Sequence, residues 1–201
     1  YDSEAVEIAA PCHHVTVRDI LTRGYGNAVH IWGSTVAEPG THVTVEDSDL
    51  SCRGDYDVIL LRPNHTDVVL RNNLIYHQWE HLEEKTNDGP HCENGPWGGL
   101  PGVLHSILVE SNDFFDNFGY KSHILYNDVN RVVTRFNRFY GYTGGGHAIA
   151  GANVFGSDYP VYGMEFSYNL FYDLRPQIFF PDISADNPHG YEWHESQASA
   201  G

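Results

Sequence analysis

Short runs of alternating apolar and polar residues recur along the chain, and a nine-residue motif aligns six of them. Positions 1 and 3 are almost all apolar, position 4 is charged in five of the six, and position 6 is asparagine in four. Alternation with a period of two is typical of β-strands that bury one face. The six segments are VTVRDILTR from Val15, VTVEDSDLS from Val43, VVLRNNLIY from Val68, ILVESNDFF from Ile107, VVTRFNRFY from Val132 and MEFSYNLFY from Met164.

The spacing of the motifs indicates a stack of repeats. The sixth positions lie 28, 25, 39, 25 and 32 residues apart, at Ile20, Ser48, Asn73, Asn112, Asn137 and Asn169. A unit of about 25 residues is too short for a propeller blade and too rich in strand residues for a helical solenoid. A second apolar run accompanies the motifs as AVEIA from Ala5, AVHIW from Ala28, DVILL from Asp57, HILY from His123, HAIA from His147 and QIFF from Gln177.

These repeats predict an all-β fold, a single right-handed parallel β-helix of about six coils. One domain would cover residues 1–201, with one long loop insertion at about 77–103 behind the 39-residue step. Each coil would contain a first strand, a turn, the motif strand, a turn at position 6 and a short aromatic strand. Strands of successive coils would pair in parallel, about 4.8 Å apart.

Stacked coils turn each motif position into a row along the stack. Positions 1, 3 and 8 are expected to face the core, and position 9 to form an outward aromatic row. Position 6 is expected to take the left-handed corner conformation, which asparagine tolerates. Position 4 alternates in sign, so neighbouring coils would pair opposite charges. That row is Arg18, Glu46, Arg71, Glu110, Arg135 and Ser167.

Composition narrows the possible partners. The 201 residues contain 27 acidic and 11 basic side chains, for a formal net charge of −16. Such a surface repels nucleic acid and anionic membranes, so we expect neither as a partner. No apolar run is long enough for a spanning helix, so no membrane insertion is expected either. Three cysteines do not make a disulfide framework.

The φ-x-φ-x-x-N-x-φ-φ repeat, with the glycine-flanked segments GHAIAG and YGNAVHIWG, resembles the pectin-lyase-like superfamily of right-handed parallel β-helices. The resemblance covers essentially the whole chain. Members of that superfamily include polysaccharide lyases, glycosidases and non-catalytic adhesins, and in the enzymes the substrate usually lies along the first-strand face. The resemblance therefore implies an extracellular or cell-surface protein that binds a polysaccharide and, as an enzyme, acts as a lyase or glycoside hydrolase.

The first-strand face carries the catalytic candidates. His91, His123 and His147 would share one outward column if HCEN is the disrupted first strand of the fourth coil. Imidazoles at coil spacing can bind a divalent metal or serve as general base and acid. Asp57 would lie at the lower end of the column and Glu93 beside His91. The alternative interpretation is a set of plain surface histidines.

The insertion carries the second group of candidates. His77, Glu80 and His81 spell H-x-x-E-H, which on a helix would place two imidazoles on one face for a metal ion. Trp79 and Trp97, with Tyr126 at the end of the HILY strand, are candidate substrate-binding residues. A divalent cation is the expected cofactor, calcium in preference to zinc, and the alternative for this segment is a lid or cap.

Two functions stay open. One is a carbohydrate-active protein that binds and cleaves a polysaccharide along the first-strand face. The other is a non-catalytic, structural or adhesive β-helix segment of a larger extracellular assembly or filament. The second rests on strands that begin almost at the first residue, because an open β-helix end invites pairing with another chain.

Overall fold

The computed structural model describes residues 4–9, 11–32, 40–52, 58–61, 65–76, 90–92, 104–116, 121–125, 129–142, 147–151, 165–174, 178–183 and 191–196. This part of the chain is all-β and contains no helix. Within it, no helix is long and apolar enough to cross a membrane.

Eighteen strands form three parallel sheets of six, and the chain visits the three sheets in fixed rotation. The first sheet contains β1 (Val6–Ala9), β4 (Val29–Trp32), β7 (Ile59–Leu61), β10 (Pro90–Cys92), β13 (Lys121–Leu125) and β16 (His147–Gly151). The second contains β2 (His13–Arg18), β5 (Gly40–Glu46), β8 (His65–Arg71), β11 (Leu104–Glu110), β14 (Val129–Arg135) and β17 (Glu165–Ser167). The third contains β3 (Leu21–Thr22), β6 (Asp49–Leu50), β9 (Leu74–Ile75), β12 (Asp113–Phe115), β15 (Arg138–Tyr142) and β18 (Leu170–Leu174).

The motif register predicted from the sequence is confirmed in the second and third sheets. Position 1 pairs with position 1, as Val15 with Val43 and Ile107 with Val132. Inward positions 1, 3 and 8 form one buried apolar cluster, in which Phe114 stacks on Phe139 with ring centroids 4.7 Å apart. Because the side-chain period of a strand is two, a slip of one residue would turn these residues to solvent, so burial fixes the register.

Asparagines at position 6 form a continuous hydrogen-bonded line, here called the asparagine ladder: Asn73, Asn112, Asn137 and Asn169. Each side-chain amide donates to the Oδ1 of the next asparagine, at 3.0, 3.1 and 3.0 Å. The same Oδ1 atoms accept backbone N–H groups at 2.9–3.0 Å. Asn73, Asn112 and Asn137 are buried, so the ladder leaves the polar groups at this corner satisfied inside the fold.

The corner itself corrects one expectation. The left-handed residue is at position 5 and not at the position of the asparagines, because the position-6 amide has to lie inside the corner to make the ladder bonds. Position 5 has positive φ in all six repeats: Asp19 (56°), Asp47 (51°), Asn72 (55°), Ser111 (57°), Phe136 (57°) and Tyr168 (56°).

The alternating charges at position 4 pair as expected. Nε of Arg71 donates to Oε2 of Glu46 at 2.7 Å, and Nη1 of Arg18 lies 3.6 Å from Oε1 of the same carboxylate. Nε of Arg135 donates to Oε2 of Glu110 at 2.9 Å. The hydrogen bond to Glu46, followed by its charge, raises the pKa of Arg71 above its ordinary value. These charged side chains therefore form ion pairs between successive repeats.

The strand of the QIFF segment lies beside β16, the last strand of the first sheet, but it is not hydrogen-bonded into that sheet as expected. The segment opens β19 (Ile178–Ile183), which pairs antiparallel with β20 (Tyr191–Ser196). The chain therefore leaves the parallel pattern after β18, because β19 finds its hydrogen-bonding partner in the strand that follows it.

Candidate functional site

The first-sheet histidines do not form the single row that the sequence predicted. HCEN does supply a strand of this sheet, β10. However, His91 pairs with Ile124, His123 with Ile149, and His147 with Lys121. The three therefore occupy three different register positions. Their catalytic roles stay predictions, but they no longer draw support from a shared column.

The first residues of the AVHIW segment also do not fit an outward column. Ala28, the first residue of AVHIW, is fully buried, as is Val29 beside it. Val29 pairs with Ile59, and the backbone N–H of Ala28 donates to the carbonyl of Val58 at 3.0 Å, so the neighbour of Ala28 in the next repeat is Val58. The strands of this sheet have only three to five residues, and some, such as Ile59–Leu61, are apolar throughout, so aligning them by their first residues did not give their register.

The remaining sequence-predicted site residues lie outside the described residues, and their roles stay predictions. They are Asp57, His77, Trp79, His81, Glu93, Trp97 and Tyr126. Among the residues that the structure does describe, no group of three or more histidine, cysteine, aspartate or glutamate side chains is arranged to hold a metal ion. This part of the chain therefore contains no set of side chains that could hold the expected calcium or zinc ion.

Several histidines outside the candidate catalytic and metal-binding residues have packing roles. His65 is fully buried, and its ring lies so close to Gly40 that a Cβ at residue 40 would meet it at 2.5 Å. His30 is buried with Nδ1 3.4 Å from Oε1 of Glu4. His14 of β2 and His42 of β5, both exposed, stack with ring centroids 4.6 Å apart. These contacts hold neighbouring repeats together.

The most distinctive surface is the outer face of the third sheet. At position 9, Tyr76, Phe115, Tyr140 and Tyr172 stack with centroids 4.8, 5.3 and 4.9 Å apart, and we call them the aromatic stack. Ring planes differ by 25°, 7° and 5°, so the rings lie face to face. Their faces are therefore largely occupied by one another, and edges and hydroxyl groups are left for contact with solvent or ligand.

Position 7 runs beside the aromatic stack on the same face, because residues two apart on a strand point to the same side. It places three exposed leucines there, Leu21, Leu74 and Leu170, at 63%, 41% and 54% exposure. The rest of the row is Asp49, Asp113 and Arg138. Together, positions 7 and 9 form a strip of apolar side chains, hydroxyl groups and charges, here called the outer strip.

The polar groups of the outer strip are bonded to each other. The hydroxyl of Tyr76 donates to Oδ1 of Asp49 at 2.6 Å and accepts from Nη2 of Arg23 at 3.1 Å. Burial, followed by the hydrogen bond to Asp49, raises the pKa of Tyr76. Since a raised pKa keeps the phenol protonated, Tyr76 is a hydrogen-bond donor here and no base.

The carboxylate of Asp113 is likewise occupied. Arg138 binds both carboxylate oxygens of Asp113 through Nε and Nη2. Burial and the nearby Asp113 carboxylate raise the pKa of Tyr140. Asp49, whose Oδ2 lies 3.8 Å from Nη2 of Arg23, and Asp113 are thus both paired with arginines, and neither offers the free carboxylates that glycoside hydrolysis requires. The chemistry of the outer strip suits binding.

A second exposed aromatic pair lies at the corner between the second and third sheets. Phe136 and Tyr168 stack at 5.2 Å with planes 11° apart, and they are 51% and 79% exposed. The left-handed backbone conformation costs a bulky L-residue about 1–2 kcal/mol of conformational free energy. Stacking between two exposed rings offsets only part of that cost. Sequence reasoning missed this pair because it placed the corner one residue later. The signal was available, since position 5 otherwise carries only Asp, Asn or Ser.

Comparison of the chain with protein-family models, with curated proteins and with solved structures finds no match. Function is therefore argued from the surface alone.

Proposed function

We propose that the chain is a right-handed parallel β-helix of the pectin-lyase-like type, which binds a polysaccharide at the extracellular or cell surface. The strand rotation and parallel pairing support a helix built from the three sheets. The proposed binding surface is the outer strip, and not the first-strand face that the sequence favoured.

One observation carries the proposal: on the outer face of the third sheet, four stacked aromatic rings run beside a row that holds three exposed leucines among charged side chains. Exposed apolar surface of this kind marks a site of interaction. A sugar ring presents C–H groups on its faces and hydroxyl groups around its edge, so it suits a surface that alternates apolar and hydrogen-bonding groups. The net charge of −16 argues against nucleic acid as the ligand of the aromatic stack.

Binding is tested with a panel of soluble polysaccharides in native gels and by titration calorimetry. We expect retardation of the wild-type chain by at least one polysaccharide. Tyr172→Ala should weaken that binding by about tenfold, since an anchoring aromatic side chain commonly contributes this much. Tyr25→Ala is the matched control, because Tyr25 is 40% exposed against 44% for Tyr172 and lies outside the outer strip. Equal losses in both variants would contradict the proposal.

Cleavage is scored in the same panel from unsaturated and reducing products, with added calcium and with EDTA. The proposed catalytic residues are His91, His123 and His147, with Asp57 and Glu93 as secondary candidates. Replacing His123 and His147 by alanine should abolish any product while leaving binding to the outer strip intact. Unchanged product formation would remove these residues from the proposal.

The second candidate is a non-catalytic scaffold or adhesive segment that assembles with other chains. It is favoured by the asparagine ladder and the paired charges, which bind successive repeats rather than a ligand. Light scattering separates the candidates: mass that grows with protein concentration, without retention by any polysaccharide, favours assembly.

A further inference from the structure

The corner pair, Phe136 and Tyr168, occupies a backbone position that disfavours aromatic side chains. In repeats 1–4 the same left-handed position holds Asp19, Asp47, Asn72 and Ser111, which are short polar residues. Asparagine and aspartate are the non-glycine residues that reach this conformation most easily, because their side chains hydrogen-bond locally. Only repeats 5 and 6 depart from that pattern.

Burial does not explain the departure. Tyr168 is 79% exposed and Phe136 51%, so neither ring contributes a filled core position. Phe136 contacts Tyr168 on one side and has the guanidinium carbon of Arg135 5.7 Å from its ring centroid. Exposed rings held in an unfavourable backbone conformation are a reason to infer function at that place.

The charged side chains at the corner limit the class of ligand that can bind there. Both arginines of this motif are already paired, Arg135 with Glu110 and Arg138 with Asp113. The exposed Glu165 accepts a hydrogen bond from the Ser167 hydroxyl at 2.7 Å. The described side chains here therefore offer ring faces, a hydroxyl group and a carboxylate, with no unpaired cation to attract an acidic sugar.

We propose that Phe136 and Tyr168 form a corner platform that stacks a sugar ring of an uncharged polysaccharide. This inference rests on the proposed function and extends it: the platform continues the outer strip around the corner, and it defines the ligand as neutral. Phe136 and Tyr168 cover one face of each other, and the 79% exposure of Tyr168 leaves the rest of its ring surface for a sugar.

The test uses Tyr168→Asn and Phe136→Asn in the full chain. Asparagine suits the left-handed backbone, so these variants should melt at or above the wild-type temperature, and a loss of binding is then not a loss of folding. Ser111→Asn makes the same replacement at position 5 of repeat 4 without removing a ring. Tyr168→Trp enlarges the platform.

Probes are a neutral galactomannan, a neutral xyloglucan, and the anionic polygalacturonate and alginate. We expect the wild type to prefer a neutral probe, and Tyr168→Asn and Phe136→Asn to weaken its binding tenfold or more. Ser111→Asn should bind with wild-type affinity. Tyr168→Trp should bind equally tightly or more tightly. Binding of both asparagine variants within twofold of wild type would overturn the platform while leaving the proposed function standing. Tighter binding of an anionic probe would overturn the neutral ligand, and retention of no probe by the wild type would overturn both proposals.

Discussion

The side-chain amide of Asn112 donates to Oδ1 of Asn137 at 3.1 Å, and the same oxygen accepts the backbone N–H of Asn112 at 2.9 Å. Nδ2 of Asn112 also donates to the carbonyl of Leu70 at 2.9 Å, so one amide binds two neighbouring repeats. Its own Oδ1 accepts from the backbone and side chain of Asn73. Every strong hydrogen-bonding position of this buried amide is therefore used.

Asn112→Ala should lower the free energy of unfolding by about 3–5 kcal/mol, because two buried donors of Asn73 lose their acceptor while the Leu70 carbonyl and Oδ1 of Asn137 each lose one donor. Asn169→Ala should have a smaller effect, since Asn169 is only partly buried. Urea unfolding followed by circular dichroism measures both. A loss below 1 kcal/mol for Asn112→Ala would show that the ladder is not a main source of stability.

Phe136→Asn should raise the free energy of unfolding by about 0.5–1 kcal/mol, because asparagine tolerates the left-handed backbone that Phe136 adopts at φ 57°. Phe136→Ala removes the same ring but keeps the conformational penalty. The difference between the two variants therefore isolates the backbone cost from the lost contact with Tyr168. Thermal and urea unfolding should place asparagine above alanine, and the reverse order would refute the strain argument.

Glu46→Gln should destabilise the fold by about 1–3 kcal/mol, because a nearly buried carboxylate that accepts from Arg71 at 2.7 Å becomes neutral. Glu165→Gln, at an exposed site, should change stability by less than about 0.5 kcal/mol. Added salt should narrow the gap between wild type and Glu46→Gln, since part of the interaction is screened. Urea unfolding at low and high salt gives the comparison.

Tyr76 should make stability depend on alkaline pH. Its pKa is raised in the folded chain, so the folded state holds the phenolic proton more tightly than the unfolded state. The associated stability is fully present below the unfolded pKa of about 10, and it is lost as the pH rises through the folded pKa. Tyr76→Phe should flatten that alkaline decline in urea unfolding. An identical pH dependence in wild type and Tyr76→Phe would contradict the assignment.

Sequence reasoning was most accurate where several repeats constrain one row. Alternation over Val43 to Val45 and Val132 to Thr134 fixed which side is buried, because a slip of one residue would expose every apolar side chain in the strand. The sign change from Glu110 to Arg135 then identified neighbours across repeats. Both constraints act on the whole strand, so one atypical residue does not change the predicted register.

The site was harder to predict for a physical reason. First-sheet strands such as Ile59–Leu61 are short and buried throughout, so their alternation carries little information about register. The corner was misplaced by one residue because asparagine suits both a left-handed turn and a hydrogen-bonding ladder, and the sequence does not reveal which property is used. The sequence pattern therefore predicts Phe136 as the last residue of a strand, whereas the structure has it exposed at the corner.

The asparagine ladder also shows how this chain can tolerate change. Asn73 and Asn112 are 39 residues apart and Asn137 and Asn169 are 32 apart, yet both pairs close at 3.0 Å. Chain length between two rungs is thus decoupled from the bond that joins them, and lengthening a loop adds entropy cost only logarithmically. The loops between successive ladder asparagines can therefore change in length and sequence, or accept grafted segments, while the ladder hydrogen bonds stay the same. New binding specificity can arise in these loops.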